Sequence, residues 1–214
     1  MADEHTHAPD HDEHDHVHGE HDHEHEHEAE LDPEAEERFL EQQREALRRQ
    51  ALAQIRQYPD VALRMRAREV TEFDEYLVQL VERMQELMRD AQGVGLAAPQ
   101  VGVLQRVFVF QPDENGTKAI VNPVLTLDEG ERETEEEGCL SLRAVRVEVE
   151  RPTKAVLEGK DPNGDDVRYE LEGFAARVVQ HEFDHLDGVL IIDRTDAESR
   201  KRALGALRPQ PILA

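Results

Sequence analysis

Two histidines and a glutamate stand at a spacing that suits metal chemistry. His181 and His185 are four residues apart, and Glu182 directly follows the first of them. On a helix, residues four apart share a face with Cβ atoms roughly 5–6 Å apart, so both imidazoles could reach one metal ion. A bound metal acidifies water, and a nearby carboxylate can move the protons. The spacing predicts a metal-dependent hydrolase, with a decorated amphipathic helix as the alternative.

Histidine richness elsewhere in the chain does not explain this pair. Ten of the twelve histidines lie before residue 28, and His181 and His185 are the only ones that follow. Residues 1–30 also contain twelve Asp or Glu and neither Lys nor Arg. Such a segment buries too little apolar surface to offset its ordering entropy, so we expect a disordered tail. It could hold divalent ions loosely, or it could be only a solvated acidic tail.

Composition limits the function classes that the chain can belong to. Half of the formal net charge of −24 falls in residues 1–30, and the remainder is mildly acidic. This balance argues against broad attraction to nucleic acid or anionic membranes, although a local basic patch remains open. The single cysteine excludes an intrachain disulfide, and we find neither a run of 18 apolar residues nor a signal peptide. We therefore expect a cytoplasmic protein.

Two histidines leave a tetrahedral metal short of a third protein ligand. The longer protease pattern H-E-x-x-H-x-x-G-x-x-H is met at Gly188, but residue 191 is isoleucine. That specific metalloprotease pattern therefore fails at its third ligand. A glutamate farther along could serve, and so could Cys139 in the run Glu137-Gly138-Cys139-Leu140-Ser141. Taken alone, Cys139 is more typical of a buried structural cysteine.

A glycine-rich run occupies residues 93–102, with the sequence GVGLAAPQVG. Its small residues let the backbone approach a ligand or another chain closely. It is not a dinucleotide fingerprint, because Ala98 stands where the third glycine belongs and the run follows a predicted helix. A turn with Gln100 as a buried amide is the structural alternative.

Periodic patterns predict the elements that must position these residues. The apolar stripe that begins at Phe73 indicates a core helix over residues 72–89, with Thr71 to Asp74 at capping-box spacing. We also expect an exposed helix over 33–50, a helix over 174–187 that carries the histidines and ends at Gly188, and a basic helix over 193–207. Predicted strands cover 106–110, 119–121, 143–151, 154–159 and 167–171.

Three motifs together resemble those of bacterial peptide deformylases, in the order of that family. They are Gly93-x-Gly95-Leu96-Ala97-Ala98-x-Gln100, Glu137-Gly138-Cys139-Leu140-Ser141 and Gln180-His181-Glu182-x-Asp184-His185. The resemblance implies an α+β fold in which antiparallel sheets surround a central helix carrying the HExxH motif. It places a catalytic domain at residues 52–205, after a tail at 1–30 and a helical extension or linker at 31–51, and before a C-terminal tail at 206–214.

The same resemblance implies the reaction and the residues that perform it. The family's enzymes are metal-dependent hydrolases that remove the formyl group from the N-formylmethionine of new polypeptides and release formate. The implied metal ligands are Cys139, His181 and His185, with water as the fourth ligand. Glu182 would handle protons, while the Gln100 amide and the Leu140 backbone N–H would stabilise the oxyanion. One Fe²⁺ ion is the family's expectation in the cell, and Zn²⁺, Ni²⁺ or Co²⁺ are alternatives.

The resemblance also implies a methionine-sized pocket between the glycine-rich run and the histidine helix. We expect its walls to include Val94, Gly95, Gly138, Arg146, Phe174 and Val178. Because an arginine does not suit an apolar pocket, Arg177 is expected to turn its guanidinium to solvent. The expected partners are N-formylmethionyl nascent peptides and, through the basic C-terminal helix, the ribosome. A metal-carrying protein and a zincin-type protease are the rival hypotheses.

Overall fold

The computed structural model describes residues 33–113, 116–128, 130–143 and 145–208. The predictions of a disordered tail at 1–30 and of the last residues of the C-terminal tail fall outside the described residues. The division of the chain into domains remains a prediction.

The described chain forms an α+β fold, as the resemblance implied. Its helices are α1 (Pro33–Gln54), α2 (Glu75–Asp90), α3 (Gly173–Leu186) and α4 (Ala197–Ala206). Its strands are β1 (Gly95–Ala97), β2 (Val107–Phe110), β3 (Lys118–Leu127), β4 (Arg132–Gly138), β5 (Arg146–Pro152), β6 (Lys154–Lys160) and β7 (Asp166–Glu172). These strands pair antiparallel: one sheet has the order β1-β2-β3-β6-β7, and β4 pairs with β5 in a second sheet.

Helix α2 lies where the apolar stripe predicted a core helix, but its start is three residues later. Asp74, rather than Thr71, is the N-cap, and its side chain accepts a hydrogen bond from the Leu77 N–H at 3.0 Å. Asp at this position satisfies a backbone donor that the first helical turn leaves free. The buried face of α2 then packs in the main core through Leu77, Val81, Met84, Leu87 and Met88.

Helix α3 is the central helix of the fold and lies within one residue of its predicted bounds. It contacts β1 and β2 and also approaches β5, β6 and β7. Gly188 follows it with φ 72°, and a Cβ there would meet the Arg64 backbone. Because only glycine adopts this conformation without strain, the helix ends where the sequence indicated.

Strand β4 is missing from the predicted elements. Its sequence, RETEEEG, is almost entirely charged, and all its side chains except Glu137 are exposed or belong to glycine. Acidic residues are depleted in strands, so local propensity gave no signal here. The strand forms because β5 provides backbone partners along its whole length, from Arg132 opposite Pro152 to Gly138 opposite Arg146.

The two terminal helices differ in how closely they match expectation. Helix α1 covers the predicted range, extends to Gln54, and buries only Ala51 and Leu52 in its last turns. The predicted helix at 193–207 divides into a 3₁₀ turn at Ile191–Asp193 and α4. Asp196 starts α4 because its carboxylate caps the backbone N–H groups of residues 198 and 199. Within the described ranges, no helix has the length and apolarity needed to cross a membrane.

Candidate active site

One cysteine and two histidines converge at the end of β4 and on α3. The ligand atoms of Cys139, His181 and His185 lie within 4.8 Å of one another, and Cys139 Sγ is 3.3 Å from His185 Nε2. One thiol and two imidazoles are a donor set that suits Zn²⁺ or Fe²⁺. The residues therefore fit the metal ion that the sequence predicted, with Cys139 as the candidate third ligand.

The turn after β4 holds the Cys139 side chain through hydrogen-bond donors. The Ser141 backbone N–H lies 3.4 Å from the sulfur, and the Gln100 side-chain amide nitrogen lies 3.7 Å from it. These donors fix the position of the sulfur beside the two histidines. Gln57 fixes the same turn, because its side-chain amide donates to the Leu140 carbonyl at 3.0 Å. Sequence reasoning did not identify Gln57.

Glu137 orients His181, and it is the main site residue that sequence reasoning missed. Its Oε2 lies 3.1 Å from His181 Nδ1, so the other ring nitrogen is left to face the cysteine. Burial alone would raise the pKa of Glu137, but hydrogen bonds from His181 and Arg151 lower it to about 2. The available signal was its place at the head of the cysteine motif. An ionised carboxylate is therefore fixed behind a candidate metal ligand.

The expectation that Arg177 turns to solvent is wrong. Arg177 is only 6% exposed, and its guanidinium donates to Glu137 Oε1 and the Val149 carbonyl, both at 2.9 Å. It also donates to the Glu133 carbonyl at 2.7 Å. The planar guanidinium, with five donors, satisfies a buried acid and two strands at once. The missed strand β4 is the reason for the error, since it carries two of these acceptors.

A buried network of charges continues from Glu137 across the back of α3. Arg151 donates to Glu137 at 2.6 Å and to Asp184 at 3.0 Å. Arg194, which is partly exposed at the protein surface, donates a hydrogen bond of 3.1 Å to Asp184. Asp184 of the histidine motif is thus held by two arginines. Acidic and basic side chains alternate from the candidate metal ligand His181 to the surface, through Glu137, Arg151, Asp184 and Arg194.

Glu182 is buried, and its Oε2 has no hydrogen-bond partner among the described residues. Burial raises the pKa of Glu182 to about 7. A carboxyl group that titrates near neutral pH can both accept and donate a proton. Gly95 makes room for this side chain, because a Cβ at that position would lie 2.7 Å from the Glu182 carboxyl carbon.

The Gln100 side chain is held with its donor end toward the ligand cluster. Its oxygen accepts from the Ala97 backbone N–H at 2.8 Å, and its nitrogen donates to Ser141 Oγ at 3.2 Å. The buried-amide alternative is therefore also met, and the same amide nitrogen donates to Cys139 Sγ at 3.7 Å, beside the ligand cluster.

One cavity of about 700 Å³ is lined both by the predicted substrate-binding residues and by residues of the ligand cluster. Its walls contain all six of them, Val94, Gly95, Gly138, Arg146, Phe174 and Val178. They also contain Gln100, Cys139, Leu140, His181 and Glu182, whereas His185 is not in the lining. Val94 and Phe174 are 42% and 60% exposed, so they stand at the mouth.

Comparison with known proteins gives this arrangement a family. The model of the polypeptide deformylase family matches residues 52–201. This chain belongs to that family. A peptide deformylase of Thermotoga maritima is 51% identical over 146 residues, which are 68% of this chain and 88% of the relative. Peptide deformylase 1 of Corynebacterium glutamicum is 45% identical over 161 residues, 74% of this chain and 95% of the relative.

Solved deformylase structures share the fold described above. The crystal structure of the Thermotoga maritima enzyme has a TM-score of 0.64 and covers 66% of this chain and 96% of its own. That of a Legionella pneumophila peptide deformylase, 38% identical, has a TM-score of 0.68 and covers 72% of this chain and 91% of its own.

The family relationship establishes the reaction. Deformylases of this family are metal-dependent enzymes that remove the formyl group from N-terminal formylmethionine, and this deformylase acts on the same class of substrate. Every candidate catalytic residue lies within the matched range. Most of α1 precedes it.

Proposed function

We propose that Cys139, His181 and His185 hold the metal ion of this deformylase and that Glu182 moves the protons of the reaction. The convergence of three ligand atoms beside a buried carboxylate carries this proposal, since Glu182 Oε2 has no hydrogen-bond partner among the described residues. Fe²⁺ is the proposed ion in the cell, with Zn²⁺, Ni²⁺ and Co²⁺ as alternatives that the same donors accept. The proposed location is the cytoplasm, where formylated chains are made.

The proposed chemistry assigns each proton and bond to residues of the chain. When bound, the metal supplies a Lewis acid that acidifies water and polarises the formyl carbonyl. Glu182 accepts a proton from the attacking water, whose oxygen bonds to the formyl carbon. The carbon–nitrogen bond then breaks, and Glu182 passes the proton to the departing amine. The products are formate and a free methionyl amino terminus.

Two donors are proposed to stabilise the negative charge that develops on the formyl oxygen. They are the Gln100 side-chain amide and the Leu140 backbone N–H, which follows the cysteine directly. Support comes from the fixed orientation of Gln100 and from the presence of both residues in the cavity wall. Removing one such donor typically lowers the rate about 10²–10³-fold.

The substrate's methionine side chain is proposed to lie between the glycine-rich run and α3. Val94, Gly95, Phe174 and Val178 line that space, while Gly138 and Arg146 stand along β4 and β5. Glycine at 138 lets a peptide backbone approach the metal ligands closely. Arg146 pairs with Glu136 at 3.1 Å on the exposed side of the sheet, which suits a position at the entrance.

The deciding experiment measures formate release from formyl-Met-Ala-Ser by anaerobically iron-loaded protein, together with bound metal. We expect Glu182→Ala to keep its metal and lose at least about 10²-fold in rate, as removal of a general acid–base does. Cys139→Ala is expected to lose metal and activity together. A metal-carrying protein would bind iron without releasing formate. Full activity in Glu182→Ala would overturn the assigned role.

We further propose that α4 contacts ribosomal RNA. Arg200 pairs with Asp193 at 3.2 Å and so has a structural role, whereas Lys201 and Arg202 are exposed. Exposed cations attract the phosphate backbone, and the attraction weakens with salt. Lys201→Glu with Arg202→Glu should reduce cosedimentation with ribosomes at low salt. Unchanged cosedimentation would exclude α4 as a ribosome-binding element and would not affect the enzymatic assignment.

A further inference from the structure

Helix α1 supplies part of the cavity wall although most of it precedes the family match. Arg48 and Leu52 line the same cavity as the ligand cluster, and being four residues apart they share one face of the helix. Leu52 is buried in the main core, and Leu140, beside Cys139, packs against that same core. Arg48 therefore lies one helical turn before Leu52, the residue through which α1 packs in the same core as Leu140.

Arg48 is the least engaged arginine of the cavity. Its Nε is buried and has no hydrogen-bond partner in the part of the chain that the structure describes. Its nearest acid is Glu45, at 3.7 Å, and 42% of its side chain is exposed. By contrast, Arg143 donates to Gln57 at 2.9 Å and Arg146 to Glu136 at 3.1 Å. A buried donor without an acceptor is unfavourable, so this side chain is weakly anchored, and its exposed part is open to a ligand carboxylate.

The acids of the cavity wall do not neutralise Arg48. Glu135 pairs with Arg177 at 2.9 Å, Glu136 pairs with Arg146, and Glu137 pairs with Arg151 and Arg177. Glu182 belongs to the reaction centre and is buried. Among the described residues, only the longer pair with Glu45 on α1 itself offsets the charge of Arg48, so a carboxylate in the cavity would complement it.

We propose that Arg48 binds acidic side chains in the residues that follow formylmethionine, and so determines substrate preference. The proposal rests on the proposed function. The cavity is in the size range that holds drug-sized ligands, so it has room for more than one side chain. The rest of the bound peptide must extend out of the cavity through its mouth, and Arg48 is one of the residues that line the cavity. For a partly exposed charge pair, we expect about a two- to fivefold preference.

The test compares kcat and KM for formyl-Met-Glu-Ala-amide and formyl-Met-Ala-Glu-amide with their glutamine counterparts. The terminal amides remove the only other carboxylate of the peptides. Wild-type protein should show a lower KM for at least one glutamate peptide, and added salt should reduce the difference. Arg48→Met, which keeps the apolar stem, should abolish the preference with kcat on glutamine peptides unchanged. Arg48→Lys should retain part of it.

Arg49→Met is the matched control, because Arg49 is exposed on the same helix and does not line the cavity. It should keep the wild-type preference. Equal KM values for glutamate and glutamine peptides in the wild type, or an unchanged preference in Arg48→Met, would overturn the proposal while formate release persists. If neither the wild type nor any variant released formate, that result would instead contradict the proposed function, on which this proposal rests.

Discussion

At the scale of single residues, the orientation of the candidate metal ligands depends on Glu137. It is buried and ionised, and it faces His181 on one side and two arginines on the other. A carboxylate behind a ligating histidine fixes the ring and raises its basicity. Its influence on the metal therefore acts through His181.

We expect Glu137→Gln to weaken metal binding about 10- to 100-fold, as loss of such a partner typically does. The amide keeps the shape of the side chain but removes the charge that both arginines and the imidazole require. Competition with a chelator on zinc-loaded protein measures the affinity. Glu136→Gln, its exposed neighbour on β4, is the control and should bind metal like the wild type. Equal affinities for both variants would contradict the role of Glu137.

Gly95 is the residue that admits Glu182 to the reaction centre. We expect Gly95→Ala to lower kcat by at least about 10²-fold, because the added Cβ displaces the carboxylate that moves the protons. Metal content should stay unchanged, since the three atoms nearest the added Cβ all belong to Glu182 and not to a candidate ligand. Gly205→Ala in α4 meets nothing within 4 Å and serves as the control. A fully active Gly95→Ala variant would show that Glu182 need not sit where it does.

At the scale of elements, the small β4-β5 sheet is fastened to α3 by Arg177. Its guanidinium joins acceptors on β4 and β5 to the helix that carries the histidines. This link sets the distance between Cys139, which follows β4, and the two histidines.

Arg177→Met should lower the free energy of unfolding by about 3 kcal/mol, because it leaves buried acceptors without their donor. It should also weaken metal binding, since Cys139 loses its fixed position relative to α3. Urea denaturation and metal titration measure the two effects. Arg132→Met breaks only the exposed pair with Glu150 on the same sheet and should change stability by less than about 1 kcal/mol. Similar losses in both variants would refute the special role of Arg177.

At the scale of the whole molecule, Asp193 ties together segments far apart in the chain. It pairs with Arg64, with Arg200 of α4 and with the Leu190 backbone N–H. Burial alone would raise the pKa of Asp193, but the hydrogen bond from Arg64, with that from Leu190, lowers it below its usual value. A carboxyl with a lowered pKa stabilises the fold above its unfolded pKa, and this contribution is lost as the pH falls through the folded pKa.

Asp193→Asn should therefore lower the free energy of unfolding by up to about 1 kcal/mol at neutral pH. The difference from the wild type should be constant above roughly pH 5 and should shrink below about pH 4, the unfolded value of an aspartate. Urea denaturation between pH 3 and pH 8 measures it. Glu172→Gln, in an exposed pair with Lys154, is the control and should show almost no difference. A difference for Asp193→Asn that does not vary with pH would exclude the ion pairs as its source.

Local patterns were sufficient wherever one residue type or one period dominated. The apolar period of α2, the stop at Gly188 and the alternating valines of β5 all lie where they were predicted. They failed where the deciding partner is distant in sequence. Five of the seven β4 residues are charged, and the segment is a strand because β5 pairs with it. The start of α2 was missed for a local reason, since Asp74 rather than Thr71 accepts the hydrogen bond from the Leu77 N–H.

The sequence by itself indicated the chemistry: a glutamine, a cysteine motif and two histidines at helical spacing with a glutamate between them follow one another in the order of one enzyme family. These signals are local, because a motif's meaning depends on residue types and spacing. Only the tertiary structure decided which charges are buried together. Glu137, Arg151 and Arg177 meet across three elements, and Arg48 reaches the cavity from the part of α1 that precedes the match. Long-range packing sets such encounters, and no short stretch of sequence carries them.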